Sequence, residues 1–136
     1  MNDKVFVSGS RGINKYTDEM SDKLESLIRS GAEILVGDAE GVDKLVQAYC
    51  SMFGYYNITV YCVNDRPRVY MNSKFKLKSI PSNGRGREYF AEKDKAMTQD
   101  CDYAVVFWDG LSVGTENNIK RIRALSKEVS TIICRS

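Results

Sequence analysis

Phe107-Trp108-Asp109-Gly110-Leu111-Ser112-Val113-Gly114-Thr115-Glu116-Asn117-Asn118-Ile119 decides how this chain is read. The apolar run Tyr103 to Phe107 leads into it with the length and composition of a buried strand. Ile119, Ile122 and Leu125 follow at helical spacing, with Thr115 as the expected N-cap and Glu116 in the first turn. A strand that turns through two glycines into a helix aims backbone N–H groups and the positive end of a helix dipole at one place, a geometry suited to an anion.

Two earlier stretches repeat the pattern. Lys4 to Ser8 reads as a strand ending in Gly9-Ser10-Arg11-Gly12, a phosphate-sized turn in which Ser10 offers a hydroxyl and Arg11 a bidentate anion contact. The plainer alternative is a glycine turn with a surface arginine. A helix follows, capped by Thr17 and stopped by Gly31, with Tyr16, Met20, Leu24, Leu27 and Ile28 on its apolar side. Glu33 to Val36 reads as the second strand and runs into Gly37-Asp38-Ala39-Glu40-Gly41-Val42-Asp43. Asp38 or Asp43 could accept from a sugar hydroxyl or anchor the neighbouring loop, and Asp43 could equally be a helix-cap acid. Val42, Leu45, Val46, Tyr49 and Phe53 form the apolar face of the second helix, which Gly54 is expected to end.

Asn57 to Val63 reads as strand three. Residues 64–87 then hold seven Lys/Arg (Arg66, Arg68, Lys74, Lys76, Lys78, Arg85, Arg87) against one acid, Asp65. That segment carries +6 and the remainder about −4, since the chain totals +2. Pro67, Pro81, Asn83, Gly84 and Gly86 mark it as loop, and a connection this long is a candidate lid over an anionic ligand. A third helix is expected from Glu88 to Asp100, a fourth to about Lys127, and a fifth strand at Thr131 to Cys134.

The expected fold is therefore α/β: one domain over residues 1–136, with a five-stranded parallel sheet covered by helices on both faces. Bringing the three glycine turns to one cleft requires the order 3-2-1-4-5, with ligand at the carboxyl ends of strands one, two and four. The composition, 43% hydrophobic and 28% charged, is that of a globular chain. Cys50, Cys62, Cys101 and Cys134 form no CxxC pair and read as core thiols of a reducing compartment. There is no histidine, which removes the usual general base and the commonest zinc ligand. No metal is called for, no signal or membrane-spanning run is visible, and a cytoplasmic location is expected.

The ordered set Gly9-Ser10-Arg11, Gly37-x-x-x-Gly41-x-Asp43-x-Leu45, Lys93-Asp94-x-x-Met97, Cys101-Asp102 and Phe107-x-Asp109-Gly110-x-Ser112-x-Gly114-Thr115 resembles the SLOG superfamily. The small YspA/YpsA-like branch is the best fit, with DprA/Smf and LOG proteins as more distant relatives. The resemblance implies a Rossmann-like three-layer sandwich whose glycine loops bind a nucleotide-derived ligand. It implies ligand contacts from Gly9, Ser10 and Arg11, from Gly41 and Asp43, and from Gly110, Ser112, Gly114 and Thr115. Asp38, Arg87, Lys93 and Asp109 complete the candidate set. Relatives are often dimers or larger, so a homo-oligomer is expected. In LOG-type phosphoribohydrolases an arginine works with a glutamate shortly after the Gly-Thr. Here that position is Asn118, and Glu116 follows Thr115 directly, which leaves Glu116 as the candidate catalytic acid.

The leading expectation is a binding module for an NAD- or ADP-ribose-like molecule or a cyclic nucleotide, with Trp108, Tyr70 or Tyr89 stacking on the base. The alternatives are an enzyme that hydrolyses or exchanges an N-glycosidic bond, using Glu116, Asp109 or Asp43, and a single-stranded nucleic-acid binder using the basic stretch.

Overall fold

The structure, a computed structural model, describes residues 2–134. Its elements run β1 (Lys4–Gly9), α1 (Asp18–Ser30), β2 (Glu33–Val36), α2 (Val42–Met52), β3 (Ile58–Val63), β4 (Lys76–Ile80), α3 (Arg87–Asp100), β5 (Tyr103–Trp108), α4 (Val113–Ala124) and β6 (Glu128–Ile133). The strands form one parallel sheet in the order β4-β3-β2-β1-β5-β6. The expected α/β architecture is present, but the sheet has six strands rather than five. The additional one is β4, inside the basic segment expected to be loop, and it adds to the expected order at one edge.

Strand periodicity sorts the core into two layers. Val5 and Val7 of β1 face one side and Phe6 the other, as the two-residue repeat of a strand demands. The first layer packs against Met20, Leu24 and Leu27 of α1 and Val42, Val46 and Cys50 of α2. The second packs against Met97 of α3 and Ile122 of α4. Every residue of β3 is buried, which explains why the strand is apolar apart from Thr59. Burial of each large apolar side chain contributes about 1.5–3 kcal/mol. All four cysteines are buried free thiols.

The helix boundaries show what local chemistry specified. Thr17 caps α1, accepting from Met20 N at 3.1 Å, and Gly31 stops it in the left-handed conformation. The cap of α4 is Ser112 rather than Thr115, because the helix begins three residues earlier than expected. The second helix ends at a Phe53 cap just before Gly54, α3 begins at Arg87, and α4 ends at Ala124.

The chain runs outward from β1 through β2 and β3 to β4, then returns across the sheet to β5. Strand order therefore reverses between β1 and β5, the crevice where open parallel sheets bind ligands. The β1–α1, β2–α2 and β5–α4 loops meet there. Ser10 ties them together: its N–H donates to Phe107 O, its carbonyl accepts from Val42 N at 3.2 Å, and its hydroxyl accepts from Asp109 N at 3.0 Å. Gly41 makes this contact possible. It has φ 84°, and a Cβ there would lie within 2.5 Å of the Ser10 and Arg11 backbone.

Candidate functional site

A cleft of about 630 Å³ opens at this crevice, between the β1–α1 loop and the first turns of α3 and α4. Of the sequence candidates, Gly9, Arg11, Asp43, Arg87, Lys93, Ser112, Gly114 and Thr115 line it. Three helices bring first-turn residues to its walls: Asp43 from α2, Arg87 from α3, and Val113 to Thr115 from α4. None of the three has a side-chain cap, whereas α1 is capped by Thr17 and borders a different hollow. The Ser112 hydroxyl pairs with Thr115 Oγ1 at 3.1 Å instead of capping. The first N–H groups of a helix have no partner within it, so the α4 terminus presents donors to the cleft through Val113 to Thr115, while at α2 the Val42 N–H is taken by Ser10 O and at α3 the Glu88 N–H by Arg85 O, and those two termini add positive potential.

Cations reinforce that potential. Arg11, Arg68, Arg87, Lys93 and Arg121 line the cleft. Arg68 is engaged by Asp38, with its Nη2 at 2.8 Å from Oδ1 and its backbone N–H at 2.9 Å from Oδ2. Its guanidinium also lies 3.8 Å from the centre of the Phe90 ring. Lys93 is buried and donates to Asp94 at 2.8 Å. Arg11, Arg87 and Arg121 form no ion pair among the described residues. Arg121 donates to Asn118 Oδ1 at 2.7 Å, and the Asn118 amide donates to Ser8 Oγ at 3.1 Å, which ties that arginine to β1.

The cleft floor carries Asp43, whose Oδ2 accepts from Ala39 N at 3.1 Å. A Cβ on Gly37 would lie 2.5 Å from that oxygen and 2.9 Å from Lys93 Nζ, so both charged groups occupy the space above Gly37. Burial pushes the Asp43 carboxyl up to about 6, against the lowering pull of the Lys93 ammonium and the Ala39 N–H.

Other candidates stand elsewhere. Ser10 and Gly41 build the loop junction from behind. Asp38 is 1% exposed and serves as the loop anchor, one of the two roles expected for it. Asp109 borders the neighbouring hollow. It accepts from Leu111 N and Ser112 N at 2.8 and 2.9 Å, and those N–H donors hold its carboxyl below the ordinary range. Gly110, with φ 84°, is part of the same turn. Glu116 is not among the cleft residues; its carboxylate faces Lys120 one helical turn on, at 3.3 Å. Trp108 donates from Nε1 to Ser112 O, Tyr70 donates to Phe75 O, and Tyr89 packs edge-on against Phe90. Of the aromatic side chains, Phe6 and Phe90 reach the cleft, and the sequence reading had assigned neither to it.

The basic segment is only partly a loop. Gln47 of α2 donates to Val69 O at 3.0 Å and accepts from Met71 N at 3.0 Å, and Asn72 donates to Ser51 Oγ. Residues 64–75 are thereby pinned to α2 and to Asp38, and residues 76–80 are sheet. Of the segment expected to form a lid, residues 81–86 are the part that follows β4 and precedes α3. Among the described residues no group of His, Cys, Asp or Glu is placed to hold a metal ion, and no helix is long and apolar enough to cross a membrane.

A likeness to solved proteins fits this geometry. The fold is shared with DNA processing protein A of Helicobacter pylori. The two superpose with a TM-score of 0.69 at 18% sequence identity, over 97% of this chain and 66% of the other. The chain thus spans just under two thirds of that protein, which has been studied for its single-stranded DNA binding mode. No protein-family model matches the sequence, and no curated protein matches it.

Proposed function

We propose that the cleft binds a phosphorylated nucleotide, as the SLOG resemblance implies, and that the chain acts as a receptor for it. One observation carries this: the open first turn of α4, the N-terminal turn of α3 and three arginines without acid partners converge on one cleft. Each dipole contact contributes about 0.3–2 kcal/mol, so the convergence of several matters more than any one. The Arg68–Phe90 pair offers an apolar, cationic wall suited to a base. A glycosidase is less well served, because Glu116 faces away and the carboxyl on the floor, Asp43, is held by Ala39 N–H beside Lys93.

The test is a thermal-shift screen with AMP, ADP, ADP-ribose, NAD and cyclic nucleotides, with chromatography for released base. At 100 times its dissociation constant a ligand adds about 2.7 kcal/mol, a rise in Tm on the order of 10 °C. The expected result is a shift with at least one intact nucleotide, lost in Arg11→Ala. Free base released in proportion to enzyme would replace the receptor with a hydrolase.

A second reading, single-stranded nucleic-acid binding, is favoured by the fold shared with DNA processing protein A. It predicts anisotropy changes with labelled oligonucleotides at concentrations where mononucleotides give none.

A further inference from the structure

We infer that the cleft selects a nucleotide with a free terminal phosphate, carrying two to three negative charges, over one whose phosphate is a diester, and that Arg121 makes the distinction. This deepens the proposed nucleotide-binding reading and rests on it.

The first argument is charge balance. Five cations line the cleft, and three carboxylates face them: Asp38 behind Arg68, and Asp43 and Asp94 around Lys93. The excess is +2 with Asp43 ionised and +3 with it protonated. A phosphodiester unit brings one negative charge, whereas a terminal phosphate brings about two and a diphosphate about three. Among ligands with a single phosphate, only the terminal monoester brings the two charges that neutralise the cleft, and unbalanced charge taken out of water is costly.

The second argument is the way Arg121 is held. It lies two turns along α4 from the uncapped first turn, and its Nη1 is fixed by Asn118, which is 5% exposed and bonded in turn to Ser8. An arginine fixed by one nitrogen keeps its remaining N–H donors available in a set orientation. Two phosphate oxygens match a guanidinium fork, and a terminal phosphate offers three equivalent ones. A diester has two such oxygens, and the rest of the strand limits how it can turn. Asn118 is therefore a positioning residue: a carboxylate in its place would neutralise the charge that an amide only orients.

The experiment is calorimetric titration of the full chain with one base held constant: adenosine, adenosine 3′,5′-cyclic monophosphate, the dinucleotide ApA, AMP and ADP. AMP and ADP are expected to bind at least tenfold more tightly than the cyclic nucleotide and ApA. Arg121→Gln removes the charge from a partly exposed side chain and should reduce that ratio to about two while circular dichroism stays unchanged. Asn118→Asp should reduce it as well, by pairing Arg121 internally. Should Asn118→Asp fail to fold, the Arg121→Gln ratio decides alone. Equal or tighter binding of cyclic nucleotide or ApA alongside AMP overturns the inference and leaves the nucleotide reading standing. Binding of none of the five overturns both. A ratio that survives Arg121→Gln removes Arg121 from the distinction.

Discussion

At the scale of single residues, the site candidates divide into those that face the cleft and those that build it, and two of them give clean tests. Gly114 has an ordinary helical conformation, and a Cβ placed there meets nothing within 4 Å. Alanine is thus sterically free and a better helix former, so Gly114→Ala should raise stability by a few tenths to about 1 kcal/mol. Gly114 lines the cleft, so the same methyl should weaken nucleotide binding several-fold. Denaturant melts and titrations of one sample would show the two effects moving in opposite directions; a loss of stability would mean that the glycine is there for the fold. Asp43 gives a pH test. Its carboxyl sits at about 6 in the folded chain against an ordinary 3.8, so the folded state holds the proton more tightly than the unfolded state does. Stability from this group is present below pH 4 and falls as pH rises from about 4 to 6. The difference is worth about 3 kcal/mol. Asp43→Asn should be less sensitive to pH across that window, so its stability relative to the parent should rise from pH 4 to pH 7. Parallel curves for the two proteins would show that Asp43 ionises normally.

At the scale of elements, the apolar strands and the glycine turns were legible, and the sixth strand was not. The strands β1, β2, β3 and β5 are buried on both faces, so their composition alone marks them. Lys76-Leu77-Lys78-Ser79-Ile80 is an edge strand, exposed along all but its last residue, and lysines there are what an unpaired edge calls for. Such a strand reads as basic loop because its pairing comes from β3, not from its own pattern. The arginines were hidden for a related reason. Nothing near Arg68 in sequence announces Asp38, thirty residues away, and Arg121 acquires its meaning from Asn118 and Ser8, which chain order separates by 110 positions. Asp38 consequently belongs to the architecture of the 64–75 connection. Asp38→Ala should cost about 3 kcal/mol, the low end for breaking a buried pair, since Arg68 keeps some access to water. Hydrogen exchange should quicken around residues 66–71 and stay unchanged in β5; an effect spread evenly over the sheet would mean that Asp38 supports the core and not the loop.

At the scale of the whole molecule, the question is how much of the basic segment is free to meet a nucleic-acid strand. Sequence charge alone gives seven cations in residues 64–87. The fold ties three of them down: Arg68 with Asp38, Lys76 with Glu33 at 3.9 Å, and Lys78 with Asp100 at 2.8 Å. Lys74 lies over the Tyr56 ring. The strand β4 that carries two of these lysines is at the far edge of the sheet from β5, separated from the cleft's central strand β1 by β3 and β2. A nucleic acid held at the cleft would meet Arg11, Arg87 and Arg121 as its free cations. Each phosphate neutralised on a single strand contributes about 0.7 to the slope of log affinity against log salt, so three contacts give a slope of about −2. If the whole basic segment were engaged as one surface, seven contacts would give about −5 by the same rule. Oligonucleotide length carries the same information. Binding confined to the cleft should stop improving after two or three nucleotides, whereas a basic track would keep gaining with each added phosphate. Anisotropy titrations of oligonucleotides from two to twelve nucleotides, at salt concentrations from 50 to 200 mM, measure both quantities. A shallow slope with an early plateau places recognition in the crevice between β1 and β5. A steep slope that grows with length would mean that the ion pairs on β4 open to receive phosphates, and the sheet edge would then be the binding surface.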